Sequence, residues 1–419
     1  MNPNRINATY LIETAHPLEK AVAVMAGEQS SGTFVALPGE TDALRDRHGA
    51  AIERITPLET VSRPTLPGSR PPKGANGYTR AEVVLSFPLE NMGPSLTNLM
   101  STVAGNLYEL GQFSGLALQD LDLPPAFAEA YPGPQFGIAG TRQLTGVYDR
   151  PLIGTIIKPS VGLSPQETAD LVQTLAEAGL DFIKDDELIA NPPYSPLKER
   201  VAAVMRVINN HADKTGKKLM YAFNITDEID AMRRQHDLVL AAGGTCVMVS
   251  LISVGLAGVS ALRRTAQLPI HAHRNGWGIY SRAPYLGMSY IAYQKFWRLA
   301  GVDHMHVNGL RNKFCEPDES VIASAKACLT PMLGGYTVMP VFSSGQWAGQ
   351  APDTYQALGS VDLMYLAGGG IMAHPAGPAA GAASLRQAWE AAVQGVSLET
   401  YAESHAALRQ AIEKYGGLR

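Results

Sequence analysis

The sequence of 419 residues predicts an α/β protein: a C-terminal (β/α)8 TIM barrel preceded by a smaller N-terminal α+β domain. From about residue 151, short apolar strands alternate with longer amphipathic helices. Eight such strands fit into roughly 270 residues, the usual length of this barrel, and polar residues follow the strands where such barrels place their sites. We put the domain boundary at residue 140, giving domains 1–140 and 141–419. An open doubly wound sheet is the main alternative, which periodicity alone does not exclude.

The barrel strands are predicted as short β-rich apolar runs, and the helices between them as longer stretches with one apolar face. The predicted strands are 152–158, 181–186, 219–225, 245–251, 270–274, 304–308, 337–343 and 363–367. The predicted helices are 165–178, 196–213, 228–241, 287–300, 319–327 and 352–358. In the N-terminal domain we predict strands 8–13 and 81–87, a Pro/Gly-rich loop 62–77 and a helix over 96–110.

Composition limits the classes of partner. The net charge is -4, with 34 basic and 38 acidic residues, so nucleic acid and an anionic membrane are not expected partners. Cys246, Cys315 and Cys328 have no metal-type spacing, and the N-terminus has no signal-peptide core, so we expect a cytoplasmic protein with reduced thiols. The uncharged stretch 238–262 is long enough to span a bilayer, but Gly243-Gly244 interrupts it. We interpret it as a helix end, a buried strand and the next helix.

The segment GLDFIKDDE at residues 179–187 carries the strongest chemical signal, because an apolar strand ends there in a lysine and three carboxylates. Alternate residues of a strand share a face, so Lys184 and Asp186 are expected to project the same way, with Glu187 beside them. Such oxygen ligands suit Mg²⁺. Lys184 fits the site if CO₂ converts its amine to an anionic carbamate. The alternative is a solvated acidic turn after a buried strand.

Other predicted strands also end in polar or glycine-rich sequence, and buried charges without partners would be costly. We therefore expect these ends to face a shared polar cavity. The glycine and serine loops after strands seven and eight would let backbone N–H groups approach a phosphate. The groups concerned are Thr155 and Lys158, His271, His273 and Arg274, His304 and His306, Ser343, Ser344 and Gly345, and Gly368, Gly369 and Gly370.

These motifs make the sequence similar to the large subunit of ribulose-bisphosphate carboxylase/oxygenase (RuBisCO), almost from end to end. The motifs that carry the resemblance are EQSSGTF (28–34), TVAGN (102–106), GTIIKP (154–159), GLDFIKDDE (179–187), HAHR (271–274), GVDHMH (301–306), MPVFSSG (339–345) and AGGG (367–370). The resemblance implies a ferredoxin-like N-terminal domain and a barrel that carries the catalytic residues.

The resemblance also implies roles for individual residues. Carbamylated Lys184 would bind Mg²⁺ with Asp186 and Glu187, Lys158 would act as an acid or base beside the enolisable carbon, and His273 would be a further polar catalytic group. One phosphate would lie among Arg274, His306 and Ser343. The residues implied around the other phosphate are Thr33, Lys313, Gly345, Gly368 and Gly369. Lys313 also belongs to the implied catalytic set.

In the family, the N-terminal domain of a neighbouring subunit completes the site. The resemblance therefore implies a homodimer, or a larger oligomer, in which Glu28, Thr33 and Asn106 reach the partner's barrel. Of these, Glu28 and Asn106 are implied catalytic residues.

Several departures from the carboxylases point to a RuBisCO-like protein that does not fix CO₂. Ser160 stands where carboxylases have a second lysine, Phe34 replaces a tryptophan, Trp277 a histidine and Ser344 a glycine. The loop 307–314 lacks the family's glycine-rich form, although Lys313 keeps its distance from His306.

The predicted function is that of a Mg²⁺-dependent enzyme acting on a phosphorylated keto-sugar or keto-sugar acid through an enediolate. The best match is a decarboxylase or hydrolase of a 3-oxo sugar-acid phosphate of the 3-oxo-isoapionate 4-phosphate type. One alternative is a sugar-phosphate isomerase or a methionine-salvage enolase, but salvage enolases place a lysine base where Asn106 stands. Another is a non-catalytic relative that only binds sugar phosphates.

Overall fold

The computed structural model describes residues 2–32 and 38–417 of the chain, which forms two compact units. The first unit comprises Met1–Gly133 and Gly276–Ala300, and the second comprises Pro134–Asn275 and Gly301–Arg419. The domain boundary at residue 140 stays a prediction. Nothing in the sequence pattern had indicated that a segment from the middle of the barrel region packs with the N-terminal residues.

The first unit is built on one mainly antiparallel sheet. Its strands are β1 (Arg5–Thr14), β2 (Ala51–Val61), β3 (Tyr78–Pro88), β4 (Phe113–Asp122) and β10 (Leu286–Met288). Their order is β10-β4-β1-β3-β2, and only β10, which runs parallel to β4, departs from antiparallel pairing. Alternate residues along most of β1 are buried, as in a strand with one face against a core.

The helices of the first unit are α1 (Leu18–Glu28), α2 (Asp42–His48), α3 (Leu96–Val103), α4 (Ala126–Ala130), α10 (Gly278–Ser281) and α11 (Tyr290–Ala300). Short 3-10 turns lie at Leu89–Asn91 and Asn106–Glu109. The predicted strands 8–13 and 81–87 fall within β1 and β3. Pattern reasoning missed β2, which is exposed over most of its length, and β4, whose first six residues are all buried without alternation.

Hydrogen bonds attach the segment Gly276–Ala300 to the other residues of the first unit. Tyr108 donates its hydroxyl to the carbonyl oxygen of Gly287 at 2.7 Å, and Lys295 donates to that of Leu121 at 2.6 Å. The segment begins with α10 and β10, so the helix predicted from residue 287 begins only at Tyr290.

The second unit is a closed barrel of eight parallel strands, which confirms the predicted fold class. The strands are β5 (Leu152–Ile156), β6 (Phe182–Lys184), β7 (Met220–Asn224), β8 (Cys246–Ser250), β9 (Ile270–His273), β11 (His304–His306), β12 (Met339–Phe342) and β13 (Met364–Leu366). Their order around the barrel is β11-β12-β13-β5-β6-β7-β8-β9. Each lies within the range predicted for it.

Helices surround the barrel strands. They are α5 (Gly137–Thr145), α6 (Pro165–Glu177), α7 (Leu197–Thr215), α8 (Ile229–Ala241), α9 (Leu251–Arg263), α12 (Asp318–Leu329), α13 (Ala351–Leu358), α14 (Gly369–Met372), α15 (Gly377–Gln394), α16 (Leu398–Ala402) and α17 (Ala406–Tyr415), with a 3-10 turn at Ala348–Gln350. Local sequence explains several helix ends. Ser164 and Glu167 form a capping box at the start of α6, and Gly216 ends α7 in the left-handed conformation.

Apolar side chains of the barrel strands form a buried core. This core includes Leu152, Phe182, Met220, Met248, Val341 and Leu366. The uncharged stretch 238–262 forms the end of α8, the buried strand β8 and most of α9, as predicted. Every helix in the described part of the chain is too short or too polar to cross a bilayer.

Candidate active site

Lys184 is the last residue of β6, and its side chain is only 1% exposed. Its Nζ donates to the carbonyl oxygen of Asp185 at 3.0 Å and to Oε2 of Glu187 at 3.3 Å. Burial lowers the pKa of the Lys184 amine, an effect that the charges of Glu187 and Asp186 oppose. A lower pKa increases the neutral fraction of the amine, which is the form that reacts with CO₂.

Asp186 reaches the site through the turn after β6, because strand pairing ends at Lys184. Its Oδ2 accepts a hydrogen bond from Nζ of Lys158 at 2.6 Å, and its Oδ1 accepts one from the amide of Leu188 at 3.1 Å. The Lys158 amine also donates to Ser160 at 2.7 Å. Asp186 is 2% exposed and Lys158 is 45% exposed, so the lysine lies between the buried carboxylate and solvent.

Glu187 and His273 complete this group of side chains. Burial disfavours the ionised form of Glu187, but Lys184 and then His273 outweigh it and lower the pKa of the carboxyl to about 2. His273 Nε2 lies 3.5 Å from Glu187 Oε2, and burial, reinforced by Lys184, lowers the pKa of the imidazole to about 4. Near neutral pH, Glu187 is therefore an anion and His273 a neutral ring. We call Lys158, Lys184, Asp186, Glu187 and His273 the lysine–carboxylate cluster.

The donor set of this cluster fits a magnesium ion only if the lysine changes its chemistry. Among the described residues, no group of three or more His, Cys, Asp or Glu side chains is arranged as a cation site. Asp186 and Glu187 supply two anionic oxygen donors, and the third position holds the amine of Lys184, which repels a cation when protonated. A carbamate on Lys184 would provide a third oxygen donor of the kind that Mg²⁺ prefers.

Asp185, the middle carboxylate of the motif, does not belong to the cluster. Its Oδ1 accepts a hydrogen bond from the hydroxyl of Tyr221 at 2.5 Å. Its Oδ2 accepts hydrogen bonds from Nη2 of Arg200 at 3.2 Å and from the backbone amide of Asn224 at 2.9 Å. Asp185 and Arg200 are both almost completely buried. Asp185, which is not one of the predicted metal ligands, is committed to this buried network.

The same network holds the backbone of the ligand-bearing turn. The side-chain amide of Asn224 donates to the carbonyl oxygens of Asp186 and Glu187, both at 3.3 Å. Arg200 donates to the carbonyl oxygens of Ala190 and Ser195 at 2.6 and 2.7 Å. The two ends of the loop after β6 are thus attached to residues of β7 and α7, which positions Asp186 and Glu187.

Three histidines form a hydrogen-bonded row inside the barrel. Thr141 Oγ1 lies 2.8 Å from His304 Nε2, and His304 Nδ1 lies 3.3 Å from His271 Nδ1. His271 Nε2 lies 2.8 Å from His306 Nε2, and His306 Nδ1 lies 3.0 Å from Ser343 Oγ. Burial lowers the pKa of all three rings, that of His304 to about 3. Each neutral ring can donate one hydrogen bond and accept one, which satisfies the whole row.

Arg274, implied as a phosphate ligand, is paired with a carboxylate of its own chain. Its Nη2 lies 2.5 Å from Oε2 of Glu316, in the loop after β11. His306 and Ser343, the other two implied ligands of this phosphate, contact each other in the histidine row. The structure thus supports the closeness of His306 and Ser343 and adds Glu316 beside Arg274.

The glycines implied around the other phosphate leave open space. A Cβ added at Gly368 or Gly369 would meet no atom within 4 Å, so a ligand can approach this backbone closely. Gly345 has a φ of +93° and lies beside Lys313, whose amide donates to the carbonyl oxygen of Ser344 at 3.1 Å. The Lys313 side chain is exposed, with its Nζ 5.2 Å from the centre of the Phe314 ring.

Two of the three implied residues of the first unit also come together. Asn106 donates its side-chain amide to Glu28 Oε1 at 3.4 Å. Thr33 lies outside the described residues, as does the substituted position Phe34.

Fold and site together define a protein with a (β/α)8 barrel, a lysine–carboxylate cluster where β5, β6 and β9 end, and glycine-rich loops after β12 and β13. The sequence matches the family profile of the ribulose bisphosphate carboxylase large chain, catalytic domain, over residues 137–415. It matches the N-terminal domain of the same large chain over residues 3–127. The chain therefore belongs to the RuBisCO large-chain family, as the sequence motifs predicted.

Relatives similar to this chain along its full length carry specific names. One, 57% identical over 97% of this chain and 98% of its own length, is the 3-oxo-isoapionate-4-phosphate transcarboxylase/hydrolase of Xanthobacter autotrophicus. Another, 51% identical over 98% of both chains, is the 3-oxo-isoapionate-4-phosphate decarboxylase of Rhizobium etli. A crystal structure of a rubisco-like protein from Burkholderia fungorum is 50% identical, with a TM-score of 0.92 over 98% of this chain and 100% of that one.

Sequence reasoning missed the residues that support the lysine–carboxylate cluster, the histidine row and Arg274. Arg200, Tyr221, Asn224 and Glu316 were not singled out, and Thr141 appeared in no motif. One signal was available: if Lys184 and Asp186 face the site, Asp185 points away from it and needs a buried partner. Nothing local in the sequence identifies Arg200 as that partner.

Replacing Arg200 by Met should destabilise the protein by about 3–5 kcal/mol, because Asp185 would keep a buried charge without its cation. Urea unfolding monitored by circular dichroism measures this. Arg206→Met is the matched control, since Arg206 is exposed on α7 and donates one side-chain hydrogen bond, to Gln166. It should cost less than about 1 kcal/mol. Equal costs for the two variants would contradict the role of the buried pair.

The histidine row makes stability depend on pH. An unfolded histidine has a pKa near 6.5, whereas folded His304 has a pKa of about 3, so the unfolded chain binds more protons between these values. Stability is complete above about pH 6.5 and falls as the pH is lowered, by up to about 1.4 kcal/mol per pH unit for each such ring.

Urea unfolding at pH 7.5 and 5.5 tests this prediction, because Glu187, with a pKa of about 2, does not titrate in that window. The loss of stability between the two pH values should be smaller in His304→Gln than in the parent protein. His211→Gln, which changes a partly exposed histidine of α7, should lose as much as the parent. An identical loss in all three proteins would contradict the prediction.

Proposed function

We propose that this protein is an enzyme that removes the carboxylate of a 3-oxo sugar-acid phosphate of the 3-oxo-isoapionate 4-phosphate type. The observation that carries the proposal is the full-length similarity, at 57% and 51% identity, to two proteins named for reactions of this compound. The lysine–carboxylate cluster supports it, because it gathers acid, base and anionic groups at one end of the barrel. The names differ between decarboxylase and transcarboxylase/hydrolase, so the fate of the carboxyl group separates the two.

We propose Mg²⁺ as the cofactor, held by Asp186, Glu187 and a carbamate on Lys184. The fit of the donor set, the burial of the Lys184 amine and the family membership support this assignment. When bound, Mg²⁺ would act as a Lewis acid toward the keto oxygen and stabilise the negative charge that develops when a neighbouring carboxylate leaves.

Lys158 supplies the proton in this proposal. Loss of CO₂ from a 3-oxo acid leaves an electron pair on the carbon between the carboxylate and the ketone, delocalised onto the keto oxygen. The amine of Lys158 is held by Asp186 and Ser160 at the exposed side of the cluster, where it can deliver a proton to that carbon. Ser160 in place of the carboxylases' second lysine agrees with an enzyme that releases CO₂ rather than fixing it.

His273 acts as a neutral hydrogen-bonding group in this scheme, because its pKa of about 4 keeps the ring uncharged near neutral pH. The open backbone at Gly368 and Gly369, together with Gly345 and the exposed amine of Lys313, would take the substrate's phosphate. This division leaves proton transfer to Lys158 and orientation to the other groups. We expect the reaction to take place in the cytoplasm.

The direct test is CO₂ release from 3-oxo-isoapionate 4-phosphate in the presence of Mg²⁺ and bicarbonate. Lys158→Met should lower kcat by about 10²- to 10⁴-fold, the usual effect of losing an acid or base. Lys214→Met, at an exposed position near the end of α7, is the control and should retain full activity.

Isotope labelling decides the fate of the carboxyl group. Substrate labelled with ¹³C in its carboxylate should release the label as CO₂ if the enzyme is a decarboxylase. Label found instead in a carboxylated acceptor or in a carboxylic acid product would assign the transferase/hydrolase reaction. Failure of the parent protein to consume the substrate, or full activity of Lys158→Met, would contradict the proposed function.

We also propose that two subunits share each active site, with Glu28 and Asn106 of one subunit serving the barrel of the other. The contact between Glu28 and Asn106 supports a common role for the two residues, and solved structures of an octameric Rubisco from Pyrococcus horikoshii and a dimeric Rubisco from Hyperthermus butylicus are among those similar to this chain. A homodimer is the smallest assembly that such sharing allows.

Mixing two inactive variants tests the shared site. Glu28→Gln damages what a subunit gives to its partner's site, and Lys184→Met damages the site in the subunit's own barrel. A hybrid dimer of the two variants therefore contains one site in which both Glu28 and Lys184 are intact. Random pairing at equal amounts should restore about one quarter of the parent activity, since half of the dimers are hybrids with one good site. If each subunit builds its own site, every site in the mixture is damaged and no activity returns.

A further inference from the structure

Glu316 contacts Nη2 in the guanidinium of Arg274, the residue that would otherwise attract a phosphate. The two atoms lie 2.5 Å apart, and the side chains of Arg274 and Glu316 are 6% and 11% exposed. A charge-assisted contact at this distance is among the strong hydrogen bonds of proteins. The pair therefore places an anion of the same chain directly against Nη2 of Arg274.

The carboxylate of Glu316 is held by two further donors. The side-chain amide of Asn308 donates to the same Oε2 at 2.7 Å, and the hydroxyl of Ser320 donates to Oε1 at 2.9 Å. Asn312 donates to the backbone carbonyl oxygen of Glu316 at 3.0 Å. These contacts offset the desolvation of the carboxylate. They hold Glu316 in a defined, nearly buried position.

The same contacts lead to the other residues implied for this phosphate. Asn308 accepts the hydroxyl of Ser344 at 2.8 Å, and Ser344 lies next to Ser343, which contacts His306. His306 adds no positive charge, because burial keeps its pKa well below the ordinary value. The negative charge of Glu316 opposes the positive charge of Arg274, which weakens the attraction of this side of the site for a phosphate.

The glycine side differs in both charge and space. Gly368 and Gly369 leave their backbone open, and the amine of Lys313 is exposed at the loop that adjoins Gly345. One anionic group can therefore be accommodated there without displacing a carboxylate of the protein. The two implied phosphate sites of the barrel are thus unequal in this chain.

We infer that Glu316 makes this enzyme selective for a substrate with a single phosphate, bound on the glycine side, by acting as a built-in anion that excludes a second phosphate from Arg274. The inference rests on the proposed function, because a 3-oxo acid 4-phosphate carries one phosphate, on the carbon next to the ketone. If the ketone lies beside the lysine–carboxylate cluster, the phosphate on the neighbouring carbon must bind close to that cluster. Glu316 is in this account a specificity-determining residue and takes no part in proton transfer.

Calorimetric binding of two probes tests this inference without turnover. The Mg²⁺-loaded protein is titrated with ribulose 1-phosphate, whose phosphate is on the carbon next to the ketone, and with ribulose 1,5-bisphosphate, which adds a second phosphate at the far end. The parent protein should bind the monophosphate more tightly. In Glu316→Gln, which keeps the shape of the side chain and removes its charge, the affinity for the bisphosphate relative to the monophosphate should rise at least about 10-fold.

Glu319→Gln is the matched control, since it removes the same charge from an exposed position in the first turn of α12. It should leave the ratio of affinities within about 2-fold of the parent value, because solvent screens an exposed charge. Glu316→Ala carries the same readout as Glu316→Gln if the glutamine variant does not fold.

Two results would overturn the inference. One is a parent protein that binds the bisphosphate more tightly than the monophosphate, which needs no variant at all. The other is an unchanged ratio in a folded Glu316 variant. Either result leaves the proposed function standing if 3-oxo-isoapionate 4-phosphate is still decarboxylated. Conversely, a protein that shows the expected ratios but releases no CO₂ would refute the proposed function alone.

Discussion

The burial of the Lys184 amine is the constraint on which the rest of the site depends. An ammonium group taken out of water at the end of a barrel strand is tolerated only beside carboxylates, and Glu187 and Asp186 provide them. Those carboxylates must in turn be held in place, which the network of Asp185, Arg200 and Asn224 does from behind. Several independent buried polar contacts therefore fix the conformation of the turn after β6, as expected of a site that must keep its geometry.

Most polar side chains of the described site are either neutral or paired with an opposite charge. The three histidines of the row are buried as neutral rings that hydrogen-bond to one another, so they add no charge to the site. Four cationic side chains of the described site, Arg274, Lys158, Lys184 and Arg200, have a carboxylate partner from the same chain. Lys313 is exposed instead. Substrate charge would thus be met on the glycine side and at the lysine–carboxylate cluster.

Much of this was predictable from sequence, and the failures have physical reasons. The eight barrel strands were predictable because buried parallel strands are short apolar runs between amphipathic helices. The cluster was predictable because GLDFIKDDE ends an apolar strand in a lysine and three carboxylates. The edge strand β2 was missed because it is mostly exposed, and the attachment of Gly276–Ala300 to the first unit because it depends on tertiary pairing. The pairing of Glu316 with Arg274 joins residues 42 positions apart that have no pattern in common.

The proposed metal site depends on conversion of the buried Lys184 amine into an anionic ligand. The most direct measurement is a ¹³C NMR spectrum of the protein with ¹³C-bicarbonate and Mg²⁺, compared with Lys184→Met and with the exposed-lysine control Lys214→Met. We expect a slowly exchanging carbamate signal in the parent and in the control, and no such signal in Lys184→Met. A parent protein without that signal at saturating CO₂ and Mg²⁺, or a signal that survives in Lys184→Met, would contradict carbamate formation at Lys184.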